Sequence, residues 1–154
     1  MKFTDVWNKR FIEAAKLIST WSKDSHKIGA IIVNENKQII SAGYNGFAKG
    51  IKDTNSRLND KALKRELVLH AEENAILNSV RSTKDCIIYI YGYPPCVHCT
   101  NLIIQAGIKT ICFYNPNDSI SDYWKENLKL AKKLTREAKI DYIDLTKKIG
   151  KLND

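Results

Sequence analysis

The chain has 154 residues, 44% hydrophobic and 27% charged, which fits a single globular domain over residues 1–154 with a core that needs no disulfide staples. Four cysteines are too few for a disulfide scaffold, no apolar run approaches the roughly 20 residues of a membrane span, and the opening MKFTDVWNKR lacks a signal-peptide core, so a reducing, cytoplasmic setting and no membrane partner are expected. Lysine and arginine outnumber the acids 25 to 17, a net +8 that attracts phosphates, but the basic residues form no groove interleaved with aromatics and no nucleic-acid partner is expected.

Residues 5–20 carry Val6, Trp7, Phe11, Ala14 and Ile18 near helical spacing, which predicts a first helix. Two β-branched runs at 28–33 and 38–44, joined by Asn34-Glu35-Asn36-Lys37, predict a hairpin. Gly43-Tyr44-Asn45-Gly46 closes the second strand, and the polar stretch 49–60 reads as a surface loop. A helix is expected over 71–79 with Ala75 and Ile76 facing the core, then an apolar strand over 86–91. Pro94-Pro95 breaks the chain before a helix over 96–106 that Gly107 ends. A strand over 109–114 follows, then an amphipathic helix marked by Trp124, Leu128, Ala131, Leu134 and Ala138, and a last strand over 140–145. The order α-β-β-α-β-α-β-α-β predicts a three-layer α/β/α sandwich around a mixed five-stranded sheet.

The chemistry is concentrated in His70-Ala71-Glu72 and Pro95-Cys96-Val97-His98-Cys99. Catalytic zinc takes three protein ligands and leaves the fourth position to water. His70, Cys96 and Cys99 supply the three, and Glu72 remains as an acid/base that need not touch the metal. Cys96 and Cys99 are i and i+3 at a helix start, so both sulfurs can face one ion, and the helix terminus favours their thiolates. Zinc lowers the pKa of its water to about 7. Glu72 can take a proton from that water, protonate a ring nitrogen as the neighbouring amidine carbon is attacked, and pass a proton to the departing amine. A structural zinc site is the other reading, but it needs a fourth Cys or His. His98, between the cysteines, should point away from their metal; His26 reads as a loop residue, and Cys86 and Cys112 as buried strand thiols. A structural site would need neither Glu72 nor Pro95, and the pattern matches the H-x-E…P-C-x-x-C signature of zinc nucleobase deaminases.

Beyond these motifs, WSKD at 21–24, IGAIIV at 28–33, GYNGF at 43–47, HAEENAI at 70–76, PPCVHC at 94–99 and LIIQAGIK at 102–109 resemble the cytidine/deoxycytidylate deaminase superfamily over most of the chain, and within it the deoxycytidylate (dCMP) branch. The resemblance implies the cytidine deaminase-like fold and conversion of dCMP and water to dUMP and ammonia, feeding thymidylate synthesis. It implies Zn2+ on His70, Cys96 and Cys99, with Glu72 as proton shuttle. It places Asn45 on the nucleotide sugar, Ser22 and Lys23 near the phosphate, and Ala71 beside the substrate. It associates Gly43, Tyr44, Asn45 and Gly46 with an effector site for dCTP or dTTP with Mg2+, in a homo-oligomer that is a hexamer in many members. Ser25 after Asp24 and Ala48 after Phe47 replace prolines common in the family. The competing readings are a deaminase of another cytosine nucleoside or nucleotide, a deaminase of tRNA adenosine, and a zinc-stabilised binding module without activity.

Overall fold

The structure is a computed structural model that describes residues 2–152; Met1, Asn153 and Asp154 of the expected 1–154 domain lie outside the described residues. Its elements are α1 (Asp5–Ser19), β1 (Gly29–Val33), β2 (Ile39–Tyr44), β3 (Gly46–Phe47), α2 (Asn55–Asn59), α3 (Lys61–Leu67), β4 (Val68–Leu69), α4 (Ala71–Leu77), β5 (Ile87–Tyr91), α5 (Val97–Gln105), β6 (Thr110–Tyr114), α6 (Asp122–Glu137) and β7 (Asp141–Asp144). A five-stranded mixed sheet runs in the order β2-β1-β5-β6-β7, with β1 antiparallel to both neighbours and β5, β6 and β7 parallel.

Side chains alternate between two cores, as the period of a strand requires. Ile31, Val33, Ile87, Tyr89, Cys112 and Tyr114 meet Phe11, Ile12 and Ala15 of α1 on one face. Ala30, Ile32, Ile88, Ile90, Ile111 and Phe113 meet Ala71 and Ala75 of α4 and Ile103 of α5 on the other. Every residue of β1 and β6 is buried, because helices cover both faces. The expected sandwich and five-stranded sheet are therefore present. Ala75 is buried as expected, and Ile76 packs at the margin of the same core.

The stripe on α1 differs from the sequence reading. Val6 is 62% exposed, and the buried face runs through Asn8, Phe11, Ile12, Ala15 and Ser19. Two polar residues lie on it because each finds a partner: the Tyr89 hydroxyl donates to Asn8 Oδ1 at 2.7 Å, and Ser19 Oγ donates to the Lys16 carbonyl.

The stretch 49–60 is not all loop. It contains α2, and α3 follows at once. Neither helix buries a residue, so no apolar period announces them; their side-chain caps do, with Thr54 accepting from Arg57 N and Asp60 from Ala62 N and Leu63 N. A two-residue ribbon, also unforeseen, pairs Gly46 with Leu69 and Phe47 with Val68. It carries the end of GYNGF directly against the residues that lead into His70.

Helix α4 lies on β2 at backbone distance. A Cβ on Gly43 would stand 2.3 Å from Ala75 N and 2.4 Å from Ala71 O. Ser41 Oγ donates to the Ala75 carbonyl. Asn74 Nδ2 donates to Tyr44 O at 2.8 Å, and Asn78 Nδ2 to Ala42 O at 3.1 Å. Hydrogen bonds thus lock α4, and with it His70 and Glu72, to the second strand.

Candidate active site

The three metal-ligand candidates come from two helix starts that meet on the same face of the sheet. His70 is the N-cap of α4, and Cys96 is the N-cap of α5 with Cys99 one turn later. Extended backbone at both caps turns the side chains toward the gap between the helices. His70 Nδ1 lies 3.6 Å from Cys96 Sγ and 3.3 Å from Cys99 Sγ. Tetrahedral zinc, with bonds of about 2.3 Å to sulfur and about 2.1 Å to nitrogen, sets such atoms about 3.6 Å apart. The donor atoms all lie within 4.8 Å of one another, so the residues fit a zinc ion. Among the described residues these three are the group whose donor atoms can converge on a metal, so the fourth ligand position falls to solvent or substrate.

The three groups are electrostatically coupled. The hydrogen bond from the Cys99 thiol, aided by His70, brings the Cys96 thiol down to about 4. The Cys96 thiol and burial push Cys99 up. The hydrogen bond with Cys96 raises His70 to about 9 against the effect of burial. Zinc takes a neutral imidazole and thiolates, so loading this cluster releases protons. The Cys96 sulfur also accepts from Cys99 N at 3.4 Å, which fixes its direction at the helix start.

Glu72 is 3% exposed in the first turn of α4. Burial raises its carboxyl to about 7, opposed by the nearby His70 charge and by hydrogen bonds including one with Cys99. A carboxyl poised near neutrality can both take and return a proton, which is what a shuttle requires.

A cavity of about 420 Å³ opens beside His70 and Cys96, lined also by Arg65, Glu73, His98, Trp124 and Asn127. Such a volume admits a nucleotide-sized molecule. Asn127 accepts from Val97 N at 2.9 Å and so caps α5 from α6. No sequence signal marks Asn127 or Arg65. Glu73 was legible only as an acid three residues after an N-cap. His98 turns away from the metal cluster, as expected, and its Nε2 meets Glu73 Oε1 at 2.9 Å.

The other predicted residues lie on the neighbouring segment. Asn45 is buried; its Oδ1 accepts from Ile28 N at 2.9 Å and its Nδ2 donates to His26 O at 2.7 Å. Ser22 is buried and donates to Asn45 O at 2.7 Å. Lys23 is exposed and pairs with Asp53 at 2.9 Å. Ala71 is fully buried under Gly43. Of these four, none lines the cavity beside His70. Gly43, Tyr44 and Gly46 flank Asn45 at the end of β2 and the start of β3. Cys86 and Cys112 are buried and free, as expected of core thiols.

Three donors at zinc spacing, with a buried carboxyl beside them on an α/β sandwich, fit the site of a zinc-dependent hydrolytic deaminase. Residues 5–115 match the family model for the cytidine and deoxycytidylate deaminase zinc-binding region. The chain belongs to that family. It is 34% identical over 136 residues to an uncharacterised deaminase of Aliivibrio fischeri, a match covering 88% of this chain and 90% of the relative. It is 35% identical over 153 residues to the deoxycytidylate deaminase of Mus musculus, covering 95% of this chain and 83% of the relative. The fold is similar to that of the dCMP deaminase of cyanophage S-TIM5 solved with dCMP and dUMP, with a TM-score of 0.72 at 22% identity, covering 93% and 99% of the two chains. No helix among the described residues is long and apolar enough to cross a membrane.

Proposed function

We propose that this chain, as one domain over residues 1–154, deaminates dCMP to dUMP and ammonia and so supplies dUMP for thymidylate synthesis. The observation that carries the reading is the His70-Cys96-Cys99 cluster at zinc spacing with the buried Glu72 beside it. Likeness to deoxycytidylate deaminase along 95% of the chain supports the choice of nucleotide. In this reading Zn2+ is held by His70, Cys96 and Cys99, and Glu72 moves the protons. Asn45, Ser22, Lys23 and Ala71 contact the substrate, with Asn45 on the sugar and Ser22 and Lys23 toward the phosphate.

The same reading places effector binding at Gly43, Tyr44, Asn45 and Gly46, for dCTP or dTTP with Mg2+, in a cytoplasmic homo-oligomer, with a hexamer as the expected assembly. Rate against dCMP concentration, with and without each effector, is expected to shift; superimposed curves remove the effector site.

The substrate is tested by ammonia release from dCMP, CMP, deoxycytidine, dCTP and tRNA with purified, zinc-loaded protein. The expected result is turnover of dCMP above all others. Good turnover of deoxycytidine with none of dCMP overturns the nucleotide assignment, and turnover of tRNA alone moves the activity to adenosine.

A further inference from the structure

We propose that Glu73 is a positioning residue that sets the spacing between His70 and the two cysteines by gripping both helix starts at once; the inference rests on the zinc site of the reading above. The ligands belong to separate segments, and nothing covalent fixes His70 relative to Cys96 and Cys99. One carboxylate spans the gap. Glu73 Oε2 accepts from His70 N at 2.7 Å, while Oε1 meets His98 Nε2 at 2.9 Å. His98 lies in the first turn of α5, between the two cysteines, and moves with them.

A plain helix cap accounts for only half of this. Capping α4 uses the His70 N–H and leaves Oε1 with no need of a partner on another helix. The Glu73 side chain is 14% exposed, so its bonds are shielded on that side, whereas His98 is 67% exposed and reaches across to it. An exposed side-chain pair by itself is worth little. This one differs because its acid is also bonded to the backbone of a metal ligand, so strain at one helix start is passed to the other. Asn127 of α6 also holds α5, through Val97 N at 2.9 Å, and Glu73 is the tie from α5 toward α4. Groups that orient metal ligands in this way typically govern metal affinity about 10- to 100-fold.

The test is the rate at which zinc is lost to a chromogenic chelator, a readout independent of substrate. Glu73→Ala is expected to speed zinc loss roughly 10- to 100-fold. Glu73→Gln keeps an oxygen for His70 N and an amide that can donate to a neutral His98, and is expected to restore most of the retention. His98→Ala removes one arm at an exposed position and is expected to speed zinc loss several-fold. In the double variant the two effects should not add. Loss rates for Glu73→Ala and His98→Ala equal to the parent overturn the proposal. So does a Glu73→Ala effect that is unchanged in the His98→Ala background, which would reduce Glu73 to a helix cap. A protein that binds zinc this way yet ignores dCMP would leave the grip standing and sink only the substrate assignment.

Discussion

Glu72→Gln is expected to keep its zinc and to lose deamination by roughly 100- to 10,000-fold in turnover. Glutamine fills the same buried space, so the 3% exposed position is neither emptied nor overpacked. The metal stays because its three donor atoms belong to His70, Cys96 and Cys99. What disappears is a group able to take a proton and give it back. Burial holds the Glu72 carboxyl near 7, where both forms are accessible, and an amide has no such equilibrium. Zinc content and ammonia release measured on the same preparation decide the matter. A variant with full zinc and more than about a tenth of the parent turnover would mean that another group moves the protons.

The second large effect is expected from a glycine. Gly43→Ala places a methyl group against backbone atoms of α4, at 2.3 Å from Ala75 N, 2.4 Å from Ala71 O and 2.7 Å from Asn74 C. Backbone cannot rotate out of the way as a side-chain tip can, so the helix must shift off the strand. Overpacking of this kind costs about 3 kcal/mol or more. In a domain of this length that is a fall of roughly 6–12 °C in melting temperature. Activity should fall further, because the displaced helix carries Glu72 and begins at His70. Gly46→Ala is the matched control in the same motif, since its Cβ would meet only Tyr44 Cε2 at 3.8 Å. Thermal melting of the two variants should separate them clearly. Equal melting temperatures would show that α4 is free to move on β2.

The contrast between these glycines explains what the sequence could and could not convey. The nearness of His70, Cys96 and Cys99 and the place of Glu72 beside them were readable because their spacing along the chain, i and i+3 or i and i+2, is also their spacing at a helix start. The central strands were readable because Ile31, Ile32, Ile87 and Ile88 belong to apolar runs buried on both faces. Gly43 was not readable as a packing residue. Its constraint comes from a helix some thirty residues later, and a sequence motif gives it the same standing as Gly46. The grip of Glu73 on His98 and the cap supplied by Asn127 are of the same kind: each joins elements whose approach only the fold decides. On α1, Asn8 hid the buried stripe because its partner, the Tyr89 hydroxyl, lies 81 positions away. The helices α2 and α3 escaped because capping, not burial, holds them.

The amides of Asn74 and Asn78 have a consequence for how copies of this protein can meet. β2 is an outer strand of the sheet. Asn45 N bonds to Ile28 O, and with the alternation of an antiparallel ladder this turns the carbonyls of Ala42 and Tyr44 outward, away from β1. Those are the two carbonyls the asparagines occupy. An incoming strand would have to displace both amides before it could pair with those carbonyls, so two acceptors of this edge are withheld from templated growth.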